Sequence, residues 1–360
     1  MKAIIAAGGK GSRMYPLTFT TSKQLLPIAN KPLISYVLNN LIAVGIKNIA
    51  LIVNATRPAY EELLGDGSKL GIHITYIDQA EALGLAHVVK ISEKFVDGDS
   101  FVYCLGDNIF TAGIGKPFKQ FLRTKADALL TVIEHEENYR LGVPFFDARG
   151  KLEKVVEKPE HPPNKFGVPG LYMFSSKVFR AFKGPDGIRS SARGELEITD
   201  LYNYMITHGY KVEVAELEGQ WRDPGKFDDS LETNKLILET RKNFKILGKV
   251  DKDSVLSGGV DVGAGSKITN SKIIGPVVIG DHVEIENSTI GPYTAVGNDC
   301  EIANSSVEYS ILLEDVHILD VKNKIEASMI GHHTMIRKTN RKSPVYSFFV
   351  ADHCRIDLPE

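Results

Sequence analysis

The sequence predicts an α/β protein in two parts: a mixed, mostly parallel β-sheet with helices on both faces, followed by a parallel β-helix. Over 2–105, apolar runs of strand length alternate with segments of helical period, the pattern of parallel strands joined by crossover helices. From about residue 248, short aliphatic residues recur near every sixth position with glycine close by, the period of a β-solenoid. A length of 360 residues suits two domains, and 43% hydrophobic with 24% charged residues is the composition of an ordinary globular protein.

The first element is an apolar strand over 2–7, followed at once by Gly8, Gly9 and Gly11. Glycines so placed let the backbone turn tightly with N–H groups free to face an anion, so a phosphate is the expected guest. Arg13 lies just beyond them, and Lys23 precedes Leu25-Leu26-Pro27. Two cations beside exposed amides suit a polyphosphate better than a dinucleotide. Two familiar phosphate loops fail here. Walker A needs Gly-Lys-Ser or Gly-Lys-Thr, which the segment lacks, and the dinucleotide fingerprint needs a third glycine where Met14 stands, with Pro16 following. For the loop taken alone, a strand-end turn with solvated charges is the alternative.

Next, Leu33, Ile34, Val37, Leu38, Leu41 and Ile42 recur at helical spacing, and Gly45 stands where a helix-ending glycine belongs. A buried strand over 48–53, a polar helix near 59–64, a strand over 72–77, a helix over 84–95 and a strand over 100–105 continue the alternation. Ligands of such sheets sit at the carboxyl ends of strands. Segments 8–13, 78–79 and 106–108 all fall at such ends. Asp107 follows an apolar run, and a carboxylate there can hold a magnesium ion on phosphate oxygens. For Gly-Asp-Asn alone, a turn cap is the commoner reading.

Strand-like runs at 129–134, 143–146, 152–157 and 171–174, joined by short turns, are antiparallel additions that make the sheet mixed. One of them ends in Glu157-Lys158-Pro159. The run Arg193-Gly194-Glu195-Leu196-Glu197-Ile198-Thr199-Asp200 then leads into a helix with Leu201, Tyr204 and Met205 on one side. Trp221, the only tryptophan, reads as core or pocket wall. Pro224 and Gly225 force a turn from which Asp223 projects, ahead of a helix over 227–241 carrying Leu231, Leu236 and Leu238. Val262, Ile268, Ile274, Ile279, Ile285, Ile290, Val296 and Ile302 then mark an imperfect solenoid of roughly four to six coils, with 338–360 closing the last as a cap.

A net charge of −2 gives no sign of nucleic-acid or acidic-membrane binding. Cys104, Cys300 and Cys354 are widely spaced and odd in number, so neither a disulfide frame nor a zinc site is expected, and the compartment is expected to be reducing. No apolar run approaches transmembrane length and the N-terminus enters a core strand directly, so neither a membrane span nor a signal peptide is expected.

In order along the chain, A-G-G-x-G-[ST]-R, S-K-Q-L-L-P, G-L-A, G-D-N, E-K-P, R-G-E-L-E-I-T and W-x-D-x-G resemble the motifs of the sugar-1-phosphate nucleotidylyltransferases. Within that family the chain is most similar to the long form that joins dTTP to glucose 1-phosphate and carries a C-terminal left-handed β-helix. The resemblance covers essentially the whole chain. It implies a Rossmann-like nucleotidyltransferase fold over 1–242 and a left-handed β-helix over 243–360. It implies that Gly8, Gly9, Gly11 and Ser12 meet the nucleoside triphosphate, that Arg13 holds the departing pyrophosphate and that Lys23 meets the α-phosphate. Gln79 and Gly84 would meet the pyrimidine, since a side-chain amide offers the donor and the acceptor that thymine or uracil requires. Gln24, Leu85, Gly142, Glu157 and Val168 would surround the sugar, Lys158 and Arg193 would bind its phosphate, and Asp107 and Asp223 would share Mg2+. Arg13, Lys23, Asp107, Lys158, Arg193 and Asp223 would thus form the catalytic set. The implied partners are a nucleoside triphosphate (dTTP, with UTP as the alternative) and a sugar 1-phosphate (glucose 1-phosphate), in a cytoplasmic homo-oligomer without nucleic acid or membrane.

The chain departs from the family's usual text at Ala6, at Pro144 and Pro169 beside the sugar residues, at Pro224, and at Ala80, where a proline often follows the glutamine. Proline removes an N–H, so sugar contacts from backbone amides at 144, 169 or 224 would be lost. Two other readings share parts of the pattern. One is the same chemistry with UTP, because a methyl group is worth only about 1 kcal/mol of discrimination. The other is a sugar N-acyltransferase working through the solenoid, for which His282, His317, His332, His333 and His353 are available.

Overall fold

The apolar runs of the first part of the chain form the strands of one eight-stranded sheet, and their alternating side chains feed a core on each face. The structure is a computed structural model that describes residues 1–9, 11–338, 347–348, 350 and 352–358. It divides into two units, one of Met1–Lys10, Thr21–Leu25 and Leu33–Asp223, the other of Gly11–Thr20, Leu26–Pro32 and Pro224–Glu360.

Strands of the first unit include β1 (Lys2–Ala6), β2 (Asn48–Val53), β3 (His73–Asp78), β4 (Phe101–Leu105), β5 (Ala128–Glu134), β6 (Gly142–Phe146), β7 (Leu152–Glu157), β8 (Phe166–Gly167), β9 (Leu171–Phe174) and β10 (Val212–Glu216). The sheet runs β8-β5-β9-β4-β1-β2-β3, with β10 beside β5. β1 pairs in parallel with β2 and with β4, ending at Ala6 opposite Ile52 and Leu105, and β3 extends the parallel half. β9 is antiparallel to β4 and to β5, so the sheet is mixed. β6 and β7, expected as additions to this sheet, instead form a separate antiparallel pair.

The helices are α1 (Leu33–Ala43), α2 (Arg57–Leu64), α3 (Leu85–Ile91), α4 (Glu93–Val96), α5 (Gly115–Thr124) and α6 (Ile198–Thr207). Ile5, Leu51 and Val102 meet Ile34, Val37, Leu38 and Leu41 of α1 on one face. Ile4, Ile52 and Tyr103 meet Val88, Val89, Leu201 and Met205 on the other. Burying each such side chain contributes about 1.5–3 kcal/mol. Trp221 is 9% exposed and belongs to the first of these cores. The helix expected over 84–95 is two helices. Ser92 breaks it at φ −90° and ψ 0°, with its Oγ donating to the Val88 carbonyl at 2.8 Å, a side-chain bond that competes with the helical one. On α6, Tyr204 packs half-buried against the core that holds Leu201 and Met205, as expected, and Tyr202 is fully buried there as well. Tyr202 donates to the Leu129 carbonyl at 3.0 Å, while Tyr204 stacks on His208 at 3.9 Å.

The second unit contains α7 (Phe227–Thr240) and three sheets of short parallel strands, stacked as in a left-handed β-helix. Each three-residue strand turns only some residues inward, so Ile273 rather than the expected Ile274 is fully buried, in a column with Ile290 and Val307. Ile268, Ile285, Ile302 and Ile318 stack in a second column. A ladder of serines runs beside them. The amides of Ser271, Ser288 and Ser305 donate to the hydroxyls of Ser254, Ser271 and Ser288, each 17 residues earlier, at 3.0, 3.0 and 3.1 Å. Fully buried Asn234 of α7 ties the Ala29 amide to the Tyr293 carbonyl, each at 2.8 Å. The expected cap over 338–360 lies largely outside the described residues. No helix among the described residues is long and apolar enough to cross a membrane.

Ile302 is fully buried in its column. Ile302→Ala should therefore cost about 2–5 kcal/mol, measured as a lower urea midpoint of the solenoid transition. An unchanged midpoint would mean that the column carries little of the coil stability.

Candidate functional site

The parallel register of β1 and β4 delivers both strand ends to one place. Gly106 donates to the Ala6 carbonyl at 2.9 Å, and a Cβ at position 106 would lie 2.9 Å from that same oxygen, so only glycine allows the approach. The Gly8 carbonyl in turn accepts from Asn54 Nδ2 at 2.7 Å. Buried Gln24 packs between Gly9 and Gly106, and its Oε1 accepts from Ser22 Oγ at 2.6 Å and from the Tyr60 hydroxyl at 3.3 Å.

Lys23 is 6% exposed, and its Nζ donates to Asp107 Oδ2 at 2.8 Å and to Asp223 Oδ1 at 2.7 Å. Burial acts to lower the pKa of Lys23, but Asp107 and Asp223 outweigh it and raise it, so the ammonium stays charged. For Asp107, burial and then Asp223 push the pKa up against the pull of Lys23. One cation between two carboxylates leaves a net negative charge, which a divalent ion would make up. Two hard oxygen ligands at a strand end fit Mg2+, which takes one or two carboxylates and completes its shell with water and phosphate. Among the described residues no group of three or more His, Cys, Asp or Glu could hold a metal.

A second cluster gathers around Glu157. Arg193 Nη2 lies 3.5 Å from Glu157 Oε1 and 2.8 Å from Glu197 Oε1, which also accepts from Ser191 Oγ at 2.7 Å. Lys158, in a left-handed conformation (φ +47°), brings its Nζ 3.6 Å from Glu157 Oε1. Burial raises the pKa of Glu157, against the pull of Lys158 and Arg193. Gly142 bridges to Val168, and a Cβ there would lie 2.9 Å from Thr199 Cγ2 and 3.5 Å from Glu157 Oε2. Pro144 pairs with Val155, its carbonyl accepting from Asn164 Nδ2 at 2.7 Å.

A third group joins Gln79, Gly84 and Leu85 to the segment before α6. Gly84 (φ +99°) is pressed on the backbone of Leu196, whose N–H donates to the Leu83 carbonyl at 2.8 Å and whose carbonyl accepts from Ala86 at 2.9 Å. Gln79 Nε2 lies 3.0 Å from His87 Nδ1. Gly11, Ser12 and Arg13 belong to the second unit, the other expected site residues to the first. Gly11 has φ +61°, its carbonyl accepts from Thr18 Oγ1 at 2.8 Å, and a Cβ at Gly225 would lie 3.0 Å from Arg13 Nη2.

A family model described as nucleotidyl transferase matches residues 2–240. The chain belongs to the nucleotidyl transferase family. It is 38% identical over 361 residues to the glucose-1-phosphate thymidylyltransferase of Streptomyces antibioticus, covering 99% of each chain. It is 39% identical over 263 residues to the low-salt glycan biosynthesis nucleotidyltransferase Agl11 of Haloferax volcanii, covering 73% of this chain and 72% of that one. Among solved structures, a Bacillus anthracis chain described as a glucose-1-phosphate thymidylyltransferase, in complex with sucrose, is 35% identical with a TM-score of 0.62, covering 68% of this chain and 97% of that one. A UDP-glucose pyrophosphorylase complexed with UDP-glucose, 20% identical with a TM-score of 0.59 over 67% of this chain and 99% of that one, shares the fold.

Reading this nucleotidyl transferase by sequence motif alone missed three residues. Glu197 anchors Arg193 and His87 meets Gln79. Asn108 is buried with neither amide atom partnered. Arg193 to Glu197 lie in non-helical backbone ahead of α6, so their spacing of four carried no helical signal. The solenoid histidines are held otherwise. His282 and His333 occupy left-handed corners (φ +57° and +56°), and His317 lies 3.0 Å from both Glu301 and Asp315.

Lys23→Met removes the cation between two carboxylates. It should destabilise the fold by about 1–3 kcal/mol, less than for a fully buried pair because the Asp223 side chain is 38% exposed. Added Mg2+ should raise the melting temperature of this variant more than that of the wild type; equal shifts would argue against a cation site between the carboxylates.

Proposed function

We propose that this chain transfers thymidylate from dTTP to glucose 1-phosphate, giving dTDP-glucose and pyrophosphate. The observation that carries the reading is the Lys23 ammonium set between Asp107 and Asp223, in a chain similar over its whole length to a thymidylyltransferase. The sugar phosphate is already ionised at neutral pH, so its oxygen attacks without a general base. The cost lies in bringing two anions together.

The chain's own cations offset that repulsion. Lys158 and Arg193 hold the sugar phosphate, with Arg193 oriented by Glu197. Lys23 meets the α-phosphate. The bond from the sugar-phosphate oxygen to the α-phosphorus forms in line as the bond to the bridging oxygen breaks, and Arg13 takes the charge that develops on the pyrophosphate. Asp107 and Asp223 would hold Mg2+, which when bound would neutralise part of the charge of the phosphates. Gly8, Gly9, Gly11 and Ser12 take the triphosphate, Gln79 and Gly84 the base, and Gln24, Leu85, Gly142, Glu157 and Val168 the sugar. We assign the catalytic domain to 1–242 and the β-helix domain to 243–360, in a homo-oligomer of the cytoplasm. Three free cysteines suit that reducing compartment.

Pyrophosphate release measured with dTTP and UTP across several sugar 1-phosphates tests the reading. Turnover should be highest with dTTP and glucose 1-phosphate, and turnover with UTP that equals or exceeds it overturns the assignment. In the same assay Arg13→Ala and Lys158→Ala should each cost about 2–4 kcal/mol of barrier; a variant with unchanged kcat/KM would remove that residue from the catalytic set.

A further inference from the structure

Gln79 leaves β3 with its backbone held, its N–H donating to the Val53 carbonyl at 2.8 Å. Its side chain is held as well, because Nε2 lies 3.0 Å from Nδ1 of the half-buried His87, which sits near the start of α3. An amide has a donating end and an accepting end, and a neutral imidazole with a bare Nδ1 can only accept. Nε2 faces Nδ1 and can only donate, so in this arrangement Nδ1 is the bare nitrogen and the His87 proton sits on Nε2. Oε1 is left to face elsewhere, with the second Nε2 hydrogen beside it. A protonated imidazole would carry hydrogen on Nδ1 and demand Oε1 instead, turning the amide over.

Burial, and then the charge of Lys90 on the same helix, hold the pKa of His87 below the ordinary histidine range, while Glu81 in the preceding loop pulls the other way. The net shift favours the neutral imidazole, the form in which Nδ1 accepts from Gln79 Nε2.

The geometry points to His87 as a positioning residue that locks the Gln79 amide with its oxygen outward, so that the site selects a pyrimidine bearing hydrogen on N3 and rejects cytosine. Thymine and uracil present an N3–H donor beside the O4 acceptor, matching Oε1 and the free Nε2 hydrogen. Cytosine presents the reverse, an N3 acceptor beside an amine donor, and matches only the overturned amide. The inference rests on the assignment of Gln79 to the base made above. It adds the group that decides which face of that amide is offered.

The test is kcat/KM with dTTP and with dCTP, at saturating glucose 1-phosphate, for the wild type and for His87→Ala, His87→Gln and Gln79→Ala. His87→Ala should lower the dTTP-over-dCTP preference about tenfold, the worth of one hydrogen bond, with the loss in KM for dTTP rather than in kcat. His87→Gln, whose side-chain oxygen can accept the same hydrogen, should restore the preference. Below the ordinary histidine pKa of about 6.5, but above the range in which the cytosine ring itself takes up a proton, the wild-type preference should narrow and that of His87→Gln should not, because both nucleotides carry the same triphosphate and its titration cancels in the ratio. An unchanged preference in His87→Ala alongside a raised KM for dTTP in Gln79→Ala overturns the role of His87 and leaves Gln79 at the base. An unaltered KM in Gln79→Ala overturns both.

Discussion

The ammonium of Lys23 joins carboxylates 84 and 200 residues away in the chain, and the arrangement of the strand ends depends on that pairing. A buried lysine left alone would be expensive, and so would two carboxylates left facing one another. Each therefore needs the other, and the three segments that carry them are held in one place. The balance is deliberately incomplete in charge, since one cation cannot neutralise two anions. The sheet supplies the position of that residual negative charge. The Ala6 to Leu105 register and the close approach at Gly106 put Asp107 at the mouth of the glycine turn.

The groups assigned to the base and to the sugar phosphate are mechanically connected. Leu196, inside the R-G-E-L-E-I-T run, exchanges backbone hydrogen bonds with Leu83 and Ala86 on either side of Gly84. Three residues back along that run is Arg193, and one residue on is Glu197, which holds it. A shift at one end of this short ladder would be felt at the other. Gly84 is required for it twice over, by its positive φ and by the Leu196 backbone against which any Cβ would collide.

The β-helix is built on a different economy. Its strands are too short to stand alone, and stability comes from columns of aliphatic residues and from serine hydroxyls that bridge one coil to the next. Three of its histidines are part of that architecture. His282 and His333 turn corners in the left-handed region, and His317 faces carboxylates on either side.

Much of this was legible in the residues. Strand-helix alternation, the solenoid period and the order of seven short motifs depend on local periodicity and residue type, which a single chain carries in full, and with them came the fold and the family. The misreadings were local, such as Ile274 for Ile273, where adjacent residues are equally apolar and only packing chooses between them. The serine repeat at 17 residues was readable but hidden behind the stronger aliphatic one. Tertiary structure alone decided that Lys23 stands between Asp107 and Asp223, that Glu197 anchors Arg193, and that His87 turns the amide of Gln79. Hydrogen bonds between side chains on separate segments depend on distance and direction in space, and periodicity along a chain records neither.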